Sequence, residues 1–446
     1  MRTFLTVIDE RLDRWSPSRR ARALILVGFA TSVTLQITGI PLTSSFGTRT
    51  RIDLDVYRLG AQIWQQGQSL YATGSMPFTT DGIWLPFTYP PFAALTFVPL
   101  GAMTLAVSGI LISLLTIALL VVIVHIVLRL LAAGTNANRW WLALIVVAAG
   151  VWSNPVWMTL GFGQINVILL AMIVVDIFVL GRGRLSALGP ARGVLVGLAA
   201  AIKLTPLVFI AVFACARQWR AAITTAATFV LAGGLAWIWL PGDSLGYWTH
   251  TLFHTTRIGD PAGRINQNLN ALWIRLLAQS TSAQHLAWVG SSLAVTALAA
   301  AAVASCHPER AFSPAARPTE RVNSLLAACA VAVWGLLVSP TSWAHHWVWS
   351  IPSMLACAVV AARTSERTAR IAYASLAASG LVIFALGPFQ FLSAAVRQWS
   401  LLDHVLGNAY SLWGITALLV LWRLPFASHP DGTAPADRQL AEIHST

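Results

Sequence analysis

Apolar runs of about 20 residues, separated by short polar or basic segments, recur along nearly the whole chain. Residues 105–127 and 283–305, for instance, contain no Asp, Glu, Lys or Arg. A helix of that length crosses the hydrocarbon core of a bilayer. The pattern predicts an all-α polytopic membrane protein with no soluble domain and ten full spans, at 23–40, 105–131, 140–157, 166–180, 221–240, 286–305, 325–337, 347–361, 371–386 and 410–424.

One apolar segment, 193–216, does not fit this alternation. Basic clusters flank it on both sides, and its roughly 24 residues are too few for two crossings, which need about 40. Pro206 ends the preceding helix, and irregular backbone at membrane depth survives only beside protein or a polar cavity. Either the segment crosses once and leaves one basic loop on the external side, or it is a re-entrant hairpin with Lys203 near its tip. We favour the hairpin, which gives 12 membrane helices if it counts as two.

The distribution of charged residues predicts which loops of the membrane protein are cytoplasmic and which are external. The chain has 57% apolar and only 10% charged residues, against roughly 25% charged in soluble domains, and its net charge is +13. The arginines are clustered between spans rather than on one face, which is typical of cytoplasmic loops and not of nucleic-acid binding. We therefore expect cytoplasmic termini (1–22 and 426–446) around one transmembrane catalytic domain (23–425), with external loops near 41–91, 241–284, 339–346 and 387–409.

The cysteines and the N-terminal segment indicate no disulfide, metal site or cleavable signal peptide. Four cysteines lie in spans or beside cytoplasmic loops, and their spacing is not paired. The sequence therefore predicts neither disulfides nor a metal site, and we expect no cofactor. The basic start leads into a full-length span, so we expect no cleavable signal peptide.

The first external segment places two acids among aromatic residues. Asp53 and Asp55 precede Tyr57 and Arg58, and Tyr89 follows in a proline-rich stretch. Residues 56–66 have apolar positions at helical spacing, which predicts an amphipathic helix in the membrane interface. Solvated loop residues are the simpler interpretation, but two carboxylates in a chain with so few acids favour a function.

Amides form two further external clusters, Gln164 with Asn166 and Asn266 with Gln267. Amides can bind sugar hydroxyls. Asn and Gly are also ordinary at a helix start, and for either cluster alone that explanation is sufficient.

A histidine pair, His345 and His346, stands between Trp343 and Trp347 in the loop 339–346. Such a pair could bind a phosphate or a sugar, or could simply lie at the interface. It lacks the second set of ligands that a zinc site requires.

Lys203 is the chain's only lysine, and it lies in an apolar run. Intramembrane cations are costly and usually functional. A snorkelling lysine is the alternative, which Pro206 disfavours because it breaks the helix nearby. A lysine that faces a cavity is a good partner for a phosphate.

The acids, amides, histidine pair and lysine together favour a function more strongly than any one of these groups does alone. Aromatic rings stack on sugars, cations bind phosphate, and a carboxylate can take the proton from an attacking hydroxyl. The sequence therefore favours an enzyme that uses a lipid-linked sugar at the outer membrane face. A transporter or flippase for such a lipid would also use broken helices and buried cations, but it would need no base and should show internal repeats.

Six short motifs, in order along nearly the whole chain, resemble those of the family 87 glycosyltransferases: 53–57 (DLDVY), 86–92 (PFTYPPF), 163–167 (GQINV), 203–206 (KLTP), 266–267 (NQ) and 339–349 (SPTSWAHHWVW). This resemblance implies the type C glycosyltransferase fold. It also implies an actinobacterial α-1,2-mannosyltransferase that uses polyprenyl-phosphate mannose and extends phosphatidylinositol mannosides or lipomannan. A transferase of another polyprenyl-phosphate sugar, such as arabinose, stays open.

The resemblance assigns roles to residues. It implies that Asp53 is the catalytic base, because Asp55 occupies the variable position of the family motif. The β-linked donor and α-linked product imply one displacement with inversion. Lys203 with His345 or His346 would bind the donor phosphate. The expected substrate-binding residues are Asp55, Tyr57, Arg58, Tyr89, Gln164, Asn166, Asn266, Gln267 and Trp343.

Overall fold

The computed structural model describes residues 11, 12, 14–41, 47, 48, 51–277, 280–313, 316–393 and 399–426. This part of the chain is helical throughout, and its one β contact is an isolated bridge between Asn266 and Trp343. The helical fold class that the sequence predicts is thus confirmed. Most of the two predicted cytoplasmic ends lies outside the described residues.

The described residues form α-helices of different lengths. They are α1 Arg19–Thr38, α2 Ile52–Gln65, α3 Pro91–Thr96, α4 Val98–Gly101, α5 Leu105–Leu130, α6 Arg139–Gly150, α7 Asn154–Phe162, α8 Asn166–Phe178, α9 Val194–Ile202, α10 Ile210–Cys215, α11 Trp219–Trp239, α12 Pro241–Thr249, α13 Leu269–Leu276, α14 Thr281–Ser305, α15 Pro308–Ala311, α16 Pro318–Val338, α17 Ser350–Arg363, α18 Arg367–Leu386, α19 Leu401–Gly407 and α20 Ala409–Arg423. Shorter 3-10 turns include Gly183–Ala191, Thr205–Phe209 and Ala344–Trp349.

Among the described residues, six helices are long and apolar enough to cross a membrane, and nine spans result if each of three bent pairs is one span. The chain is a multi-pass membrane protein, but this criterion does not reach the predicted ten spans. One bent pair, Leu185–Ala191 with Val194–Ile202, overlaps the segment predicted as a hairpin and is not among the ten, so eight of the ten predicted spans are found. Two predicted spans, 166–180 and 347–361, correspond to α8 and α17, whose 13 and 14 helical residues fall short of the roughly 20 that a crossing requires.

Helix α16 lies at the centre of the bundle. Its middle consists of small buried residues, Ala327 to Ala332 with Cys329 among them. Small side chains let neighbouring helices approach closely inside a membrane, and α16 packs against α14, α17, α20 and α5. Helix α1, in contrast, is almost entirely exposed and packs against α6 and α7 at the edge of the bundle.

The segment predicted to lie outside, 41–91, contains an amphipathic helix, as predicted. Helix α2 begins earlier than the predicted residue 56, so both aspartates lie in its first turn. Its buried face, which includes Leu54, Tyr57 and Ala61, packs against α3 and α4. No membrane accompanies the structure, and the interfacial location of α2 stays a prediction.

The predicted break in segment 193–216 is present. Helix α9 ends at Ile202, Lys203 adopts an extended backbone conformation, and Pro206 lies in the 3-10 turn that leads to α10. Neither α9 nor α10 is long enough to cross a bilayer core alone. Lys203 therefore stands at the junction of two short helices; their re-entrant course through the membrane stays a prediction.

Candidate active site

Asp53 and Gln164 meet where the first external segment packs against the end of α7. The Gln164 Nε2 atom donates a hydrogen bond of 2.8 Å to Asp53 Oδ2. Gly163, just before Gln164, has φ +69°, a left-handed conformation that suits glycine. A Cβ atom at Gly163 would come within 2.6 Å of the Leu54 side chain. Glycine is thus what allows α2 to approach the α7–α8 turn so closely.

Gln164 connects the carboxylate to the tyrosines. Its Oε1 accepts a bond of 2.7 Å from the Tyr57 hydroxyl, which in turn lies 3.0 Å from the Tyr89 hydroxyl. The Asp53 carboxylate fixes the orientation of the amide, because an ionised carboxylate only accepts and so takes the nitrogen end, which leaves the oxygen end for the Tyr57 hydroxyl. Both tyrosine side chains are buried, and their rings pack edge to face.

Lys203 lies on the oxygen side of the Gln164 side-chain amide. Its Nζ lies 3.0 Å from Asn166 Oδ1, 3.1 Å from His346 Nε2 and 3.5 Å from Gln164 Oε1. It also stands 5.7 Å from the centre of the Tyr89 ring. Within the described parts of the chain, no carboxylate forms an ion pair with this lysine. The ammonium is held only by neutral groups and by the negative end of α9, so it remains able to pair with an anion.

The histidines lie in a 3-10 turn, Ala344–Trp349, called the histidine turn below. The His345 carbonyl accepts bonds of 2.9 Å from Asn166 Nδ2 and 3.2 Å from Thr159 Oγ1, which join the turn to α7 and α8. Because an ammonium can only donate, His346 Nε2 is the acceptor towards Lys203. Burial, followed by the charge of Lys203, lowers the pKa of both histidines well below the usual value. Both imidazoles are neutral before substrate binds.

The His345 side chain is buried, yet neither of its ring nitrogens has a hydrogen-bond partner among the described residues. Its ring instead lies edge-on to His346 and Phe162. A buried polar group without a partner is costly. His345 is thus a group whose hydrogen-bonding capacity is open to a ligand.

The carboxyl of Asp53 has the electrostatics of a general base. Burial raises its pKa to about 6, while the Gln164 hydrogen bond and the Lys203 charge oppose that rise. At neutral pH the group is mostly ionised. A base whose pKa lies near the working pH transfers protons most effectively.

Asp55 and Arg58 are engaged elsewhere. Their side chains form an ion pair of 2.6 Å, and the other Asp55 oxygen accepts bonds of 2.8 Å from the Thr80 amide and hydroxyl. Arg58 also donates to the Met103 carbonyl. Asp55 is almost completely buried, and these bonds connect α2 to the segments that follow it. Their predicted contact with substrate stays untested.

Asn266 and Gln267 support the histidine turn from the second external segment. Asn266 Oδ1 accepts a bond of 2.9 Å from the Ser342 amide, and the Gln267 amide donates one of 2.7 Å to the Ser342 carbonyl. Both side chains are fully buried. Trp343 is partly exposed and lies beside Gly259 and Gly263. The structure thus joins all three to the loop that carries His346, and their predicted role in binding sugar stays untested.

A residue that the sequence analysis missed is Asp176. It is completely buried in α8, where its carboxylate accepts bonds of 2.6 Å from the Gly193 amide and 2.9 Å from the Val196 amide. These amides lie at the start of α9, where backbone donors have no acceptor within the helix itself. A single acid inside an apolar run was the available signal.

A mostly apolar groove leads away from Asn166 and His346. It lies between α8, the Thr205–Phe209 turn and α16, is partly open, and has a cavity volume of about 60 Å³. Its walls include Leu169, Ile173, Pro206, Phe209, Leu336 and Trp349. One end of the groove is therefore polar, beside Lys203, and the remainder suits a hydrocarbon chain.

The arrangement brings together a carboxylate, a cation without an ion-pair partner among the described residues, neutral hydrogen-bonding groups and an apolar groove. No group of three or more His, Cys, Asp or Glu able to hold a metal ion occurs in the described ranges.

Comparisons with known proteins agree with this chemistry. The sequence model of Glycosyltransferase family 87 matches residues 87–340. A polyprenol-phosphate-mannose-dependent alpha-(1-2)-phosphatidylinositol mannoside mannosyltransferase of Mycobacterium tuberculosis is 36% identical over 84% of each chain. The corresponding pentamannoside mannosyltransferase of Mycolicibacterium smegmatis is 35% identical over 68% of each chain.

One solved structure was also matched, ArnT from Cupriavidus metallidurans bound to undecaprenyl phosphate. It has 14% identity and a TM-score of 0.33, with 90% of this chain and 76% of that chain covered. A likeness at that level decides nothing about fold or ligand.

Proposed function

The chain belongs to glycosyltransferase family 87, and from this membership we propose that it is an inverting α-1,2-mannosyltransferase. The donor is polyprenyl-phosphate mannose, and the acceptor is a mannosylated phosphatidylinositol glycolipid. The names of its relatives support this donor and acceptor. The observation that supports the proposal is the shared contact of Asp53 and Lys203 with Gln164, because it brings a carboxylate and an ammonium to one amide.

In the proposed reaction Asp53 takes the proton from the 2-hydroxyl of the acceptor mannose. That oxygen forms a bond to the anomeric carbon of the donor, and the bond from this carbon to the phosphate oxygen breaks. The configuration is inverted, so the β-linked donor gives an α-linked product without a covalent sugar–enzyme intermediate. Polyprenyl phosphate leaves, and Asp53 releases its proton to water.

Lys203 stabilises the charge that develops on the departing phosphate. Fixed cations aimed at such charge contribute several kcal/mol to catalysis. His346 already contacts the ammonium, and His345 has open ring nitrogens; we place both beside the phosphate. Gln164 and Asn166 orient the sugars, and the apolar groove that starts beside Asn166 takes the first part of the polyprenyl chain.

The membrane setting is part of the proposal. Arginine-rich segments 182–192, 217–220, 310–321 and 363–370 mark cytoplasmic loops, which leaves Asp53 and the histidine turn on the external face and both termini in the cytoplasm. Short helices such as α8 and α17 complete the ten crossings of a type C glycosyltransferase fold. The catalytic domain is 23–425.

The test is mannose transfer by the purified protein from synthetic polyprenyl-phosphate mannose to phosphatidylinositol mannosides. Wild type is compared with Asp53→Asn, and with Asp81→Asn as the control for loss of an exposed external carboxylate. We expect Asp53→Asn to lower kcat by about 100- to 10,000-fold, the usual contribution of a general base, and Asp81→Asn to retain activity.

Asp55→Asn separates the two candidate bases. Activity per folded molecule should survive in Asp55→Asn and be lost in Asp53→Asn. Loss only in Asp55→Asn would move the base by two residues. Absence of transfer by the wild type to every mannosylated acceptor would refute the mannosyltransferase assignment.

A further inference from the structure

Arg51 lies two residues before Asp53, between the end of α1 and the start of α5. Its Nη2 donates a bond of 2.8 Å to Thr48 Oγ1, and the Thr48 amide bonds to the Ile37 carbonyl at the end of α1. Its backbone has φ +40°, an uncommon conformation for a side chain of this size. The Arg51 amide donates to the Gly161 carbonyl at 3.0 Å. The residue is thus fixed at both its backbone and its side chain.

The guanidinium lies in a notch on the outside of α5. A Cβ atom at Gly109 would come within 2.2 Å of Arg51 Nη1, so the notch exists because this residue is glycine. The next outward-facing side chains of α5, Val107 and Ile110, are apolar and about half exposed. Such side chains face the bilayer in a membrane protein. Arg51 therefore lies beside an exposed apolar face of α5, the kind of surface that contacts lipid in a membrane protein.

The positive charge of Arg51 is uncompensated in the part of the chain that the structure describes. No Asp or Glu oxygen pairs with it there. Its contacts are neutral oxygens, and the contact from Nη1 to the Ala106 carbonyl is long, 3.5 Å. Nη1 is on the exposed side, so its hydrogens can reach a ligand. A cation at a lipid-facing position is costly unless it has an anionic partner, and the arginine fork suits phosphate oxygens.

We propose that Arg51 binds the phosphodiester of the acceptor glycolipid, an inference that rests on the proposed function. Both substrates carry a phosphodiester, and the direction of displacement distinguishes them. In an inverting reaction the acceptor oxygen attacks from the side opposite the leaving phosphate. Lys203 contacts α8 and the histidine turn, whereas Arg51 contacts the α1 and α5 side of α2. The donor phosphate belongs with Lys203, which leaves the acceptor phosphate for Arg51.

The spacing suits an acceptor with a short headgroup. Two residues of backbone span at most about 7 Å, so the Cα atoms of Arg51 and Asp53 are close enough for both side chains to serve one headgroup of an inositol with its first mannoses. Arg51 then holds the lipid-proximal end of the headgroup while Asp53 receives the attacking hydroxyl. Affinity for acceptor, but not for donor, should depend on this arginine.

The experiment measures the KM of each substrate in wild type, Arg51→Gln and Arg51→Lys. The acceptor is the shortest phosphatidylinositol mannoside that the wild type uses. We expect Arg51→Gln to raise the acceptor KM about tenfold or more, which corresponds to one charge-assisted hydrogen bond, with donor KM and kcat within about twofold. Arg51→Lys should recover part of the affinity. Arg264→Gln is the control, because among the described residues this external arginine donates to the carbonyls of Gln390 and Leu392.

A second variant tests the same geometry without removal of the charge. Gly109→Ala fills the notch and displaces the guanidinium, so it should raise the acceptor KM in the same selective way. With a phosphate-free alkyl mannoside as acceptor, wild type and Arg51→Gln should bind equally weakly.

Several outcomes would overturn the inference. An unchanged acceptor KM in Arg51→Gln, an equal rise in donor KM, or wild-type affinity for the alkyl mannoside that equals its affinity for the glycolipid would each do so. A lower melting temperature with unchanged KM would assign Arg51 to a structural lipid instead. No transfer by the wild type is a different result, which refutes the proposed function itself.

Discussion

Asp53 and Lys203 contact opposite ends of the Gln164 side chain. The amide nitrogen donates to Asp53 at 2.8 Å, and the amide oxygen lies 3.5 Å from the Lys203 ammonium. The two charges are therefore kept apart by one neutral group instead of forming an ion pair. A direct ion pair would hold Asp53 as a weaker base and occupy the cation. The amide leaves both available for substrate.

Gln164→Glu should disturb this relationship through both hydrogen bonding and charge. The substitution removes the hydrogen bond that lowers the Asp53 pKa and adds a second negative charge beside it, and both changes raise that pKa further. We expect the acidic limb of the kcat/KM profile to move to higher pH. Gln164→Met removes the hydrogen bonds of the amide without adding a negative charge and should move the limb less. If the acidic limb is unchanged in both variants, Gln164 does not influence the pKa of the catalytic base.

The pH dependence of the wild type follows from the Asp53 pKa of about 6. As a base the carboxyl must be ionised, so kcat/KM should rise with pH through about 6 and then level off. The same shift acts on stability with the opposite sign. A raised pKa stabilises the fold below the unfolded pKa of about 3.9, and this contribution is lost as pH rises through about 6.

Asp53→Asn should therefore be inactive but not unstable. Its melting temperature relative to wild type should increase between pH 4 and pH 8, because the variant has no buried charge to form. Thermal unfolding in matched detergent at both pH values measures this. A variant that melts lower than wild type at pH 8 would show that the ionised carboxylate is a structural partner.

Lys203→Met should weaken donor binding. A hydrogen bond to a charged group contributes about 1.5–3 kcal/mol, or roughly 10- to 150-fold in affinity, so the donor KM should rise by that factor. Lys203→Arg should restore part of it. The acceptor KM is the internal control and should change little; a rise in acceptor KM alone would be incompatible with the donor-phosphate role.

The sequence was informative about elements whose pattern is local. Apolar runs predict the helical bundle, the spacing of apolar residues predicts α2, and Pro206 beside Lys203 predicts the break after α9. Span number was harder to predict, because hydropathy does not reveal that α8 and α17 are short helices extended by non-helical turns.

The candidate site was harder to predict, because it depends on contacts between residues that are distant in the sequence. Asp53 and Asp55 are two residues apart and of the same residue type, yet only the fold shows that Asp55 is occupied by Arg58 and Thr80. Resemblance to the family motif favoured Asp53, whereas residue type alone did not. Asp176 was overlooked because its partners are backbone amides of the next segment, which leave no signature in side-chain pattern.

Asp55 should matter for stability and not for chemistry. Removal of one partner from a buried ion pair costs about 3–5 kcal/mol, so Asp55→Ala should lower the melting temperature markedly. The kcat of the molecules that remain folded should stay within about threefold of wild type. A folded Asp55→Ala protein without activity would return Asp55 to the candidate bases.

Helix α8 holds the lysine-bearing segment at two points. Asp176 binds the amides at the start of α9, and Asn166 binds Lys203 just beyond its end. Ten residues separate the two contacts along α8, about 15 Å at 1.5 Å per residue, and the nine residues of α9 span nearly the same length. Asp176 is thus a positioning residue that sets where Lys203 lies relative to Gln164 and His346.

Asp176→Ala should therefore raise the donor KM although Asp176 is remote from substrate, and Asp176→Asn, which keeps one acceptor oxygen, should raise it less. A double-mutant cycle with Lys203→Met distinguishes positioning from general damage, because residues that act on one interaction are not additive. If Asp176 acts through the lysine, Asp176→Ala should add little to the donor KM of Lys203→Met. Additive losses, or a lower folded yield with normal donor KM, would mean that Asp176 supports the fold without placing the lysine.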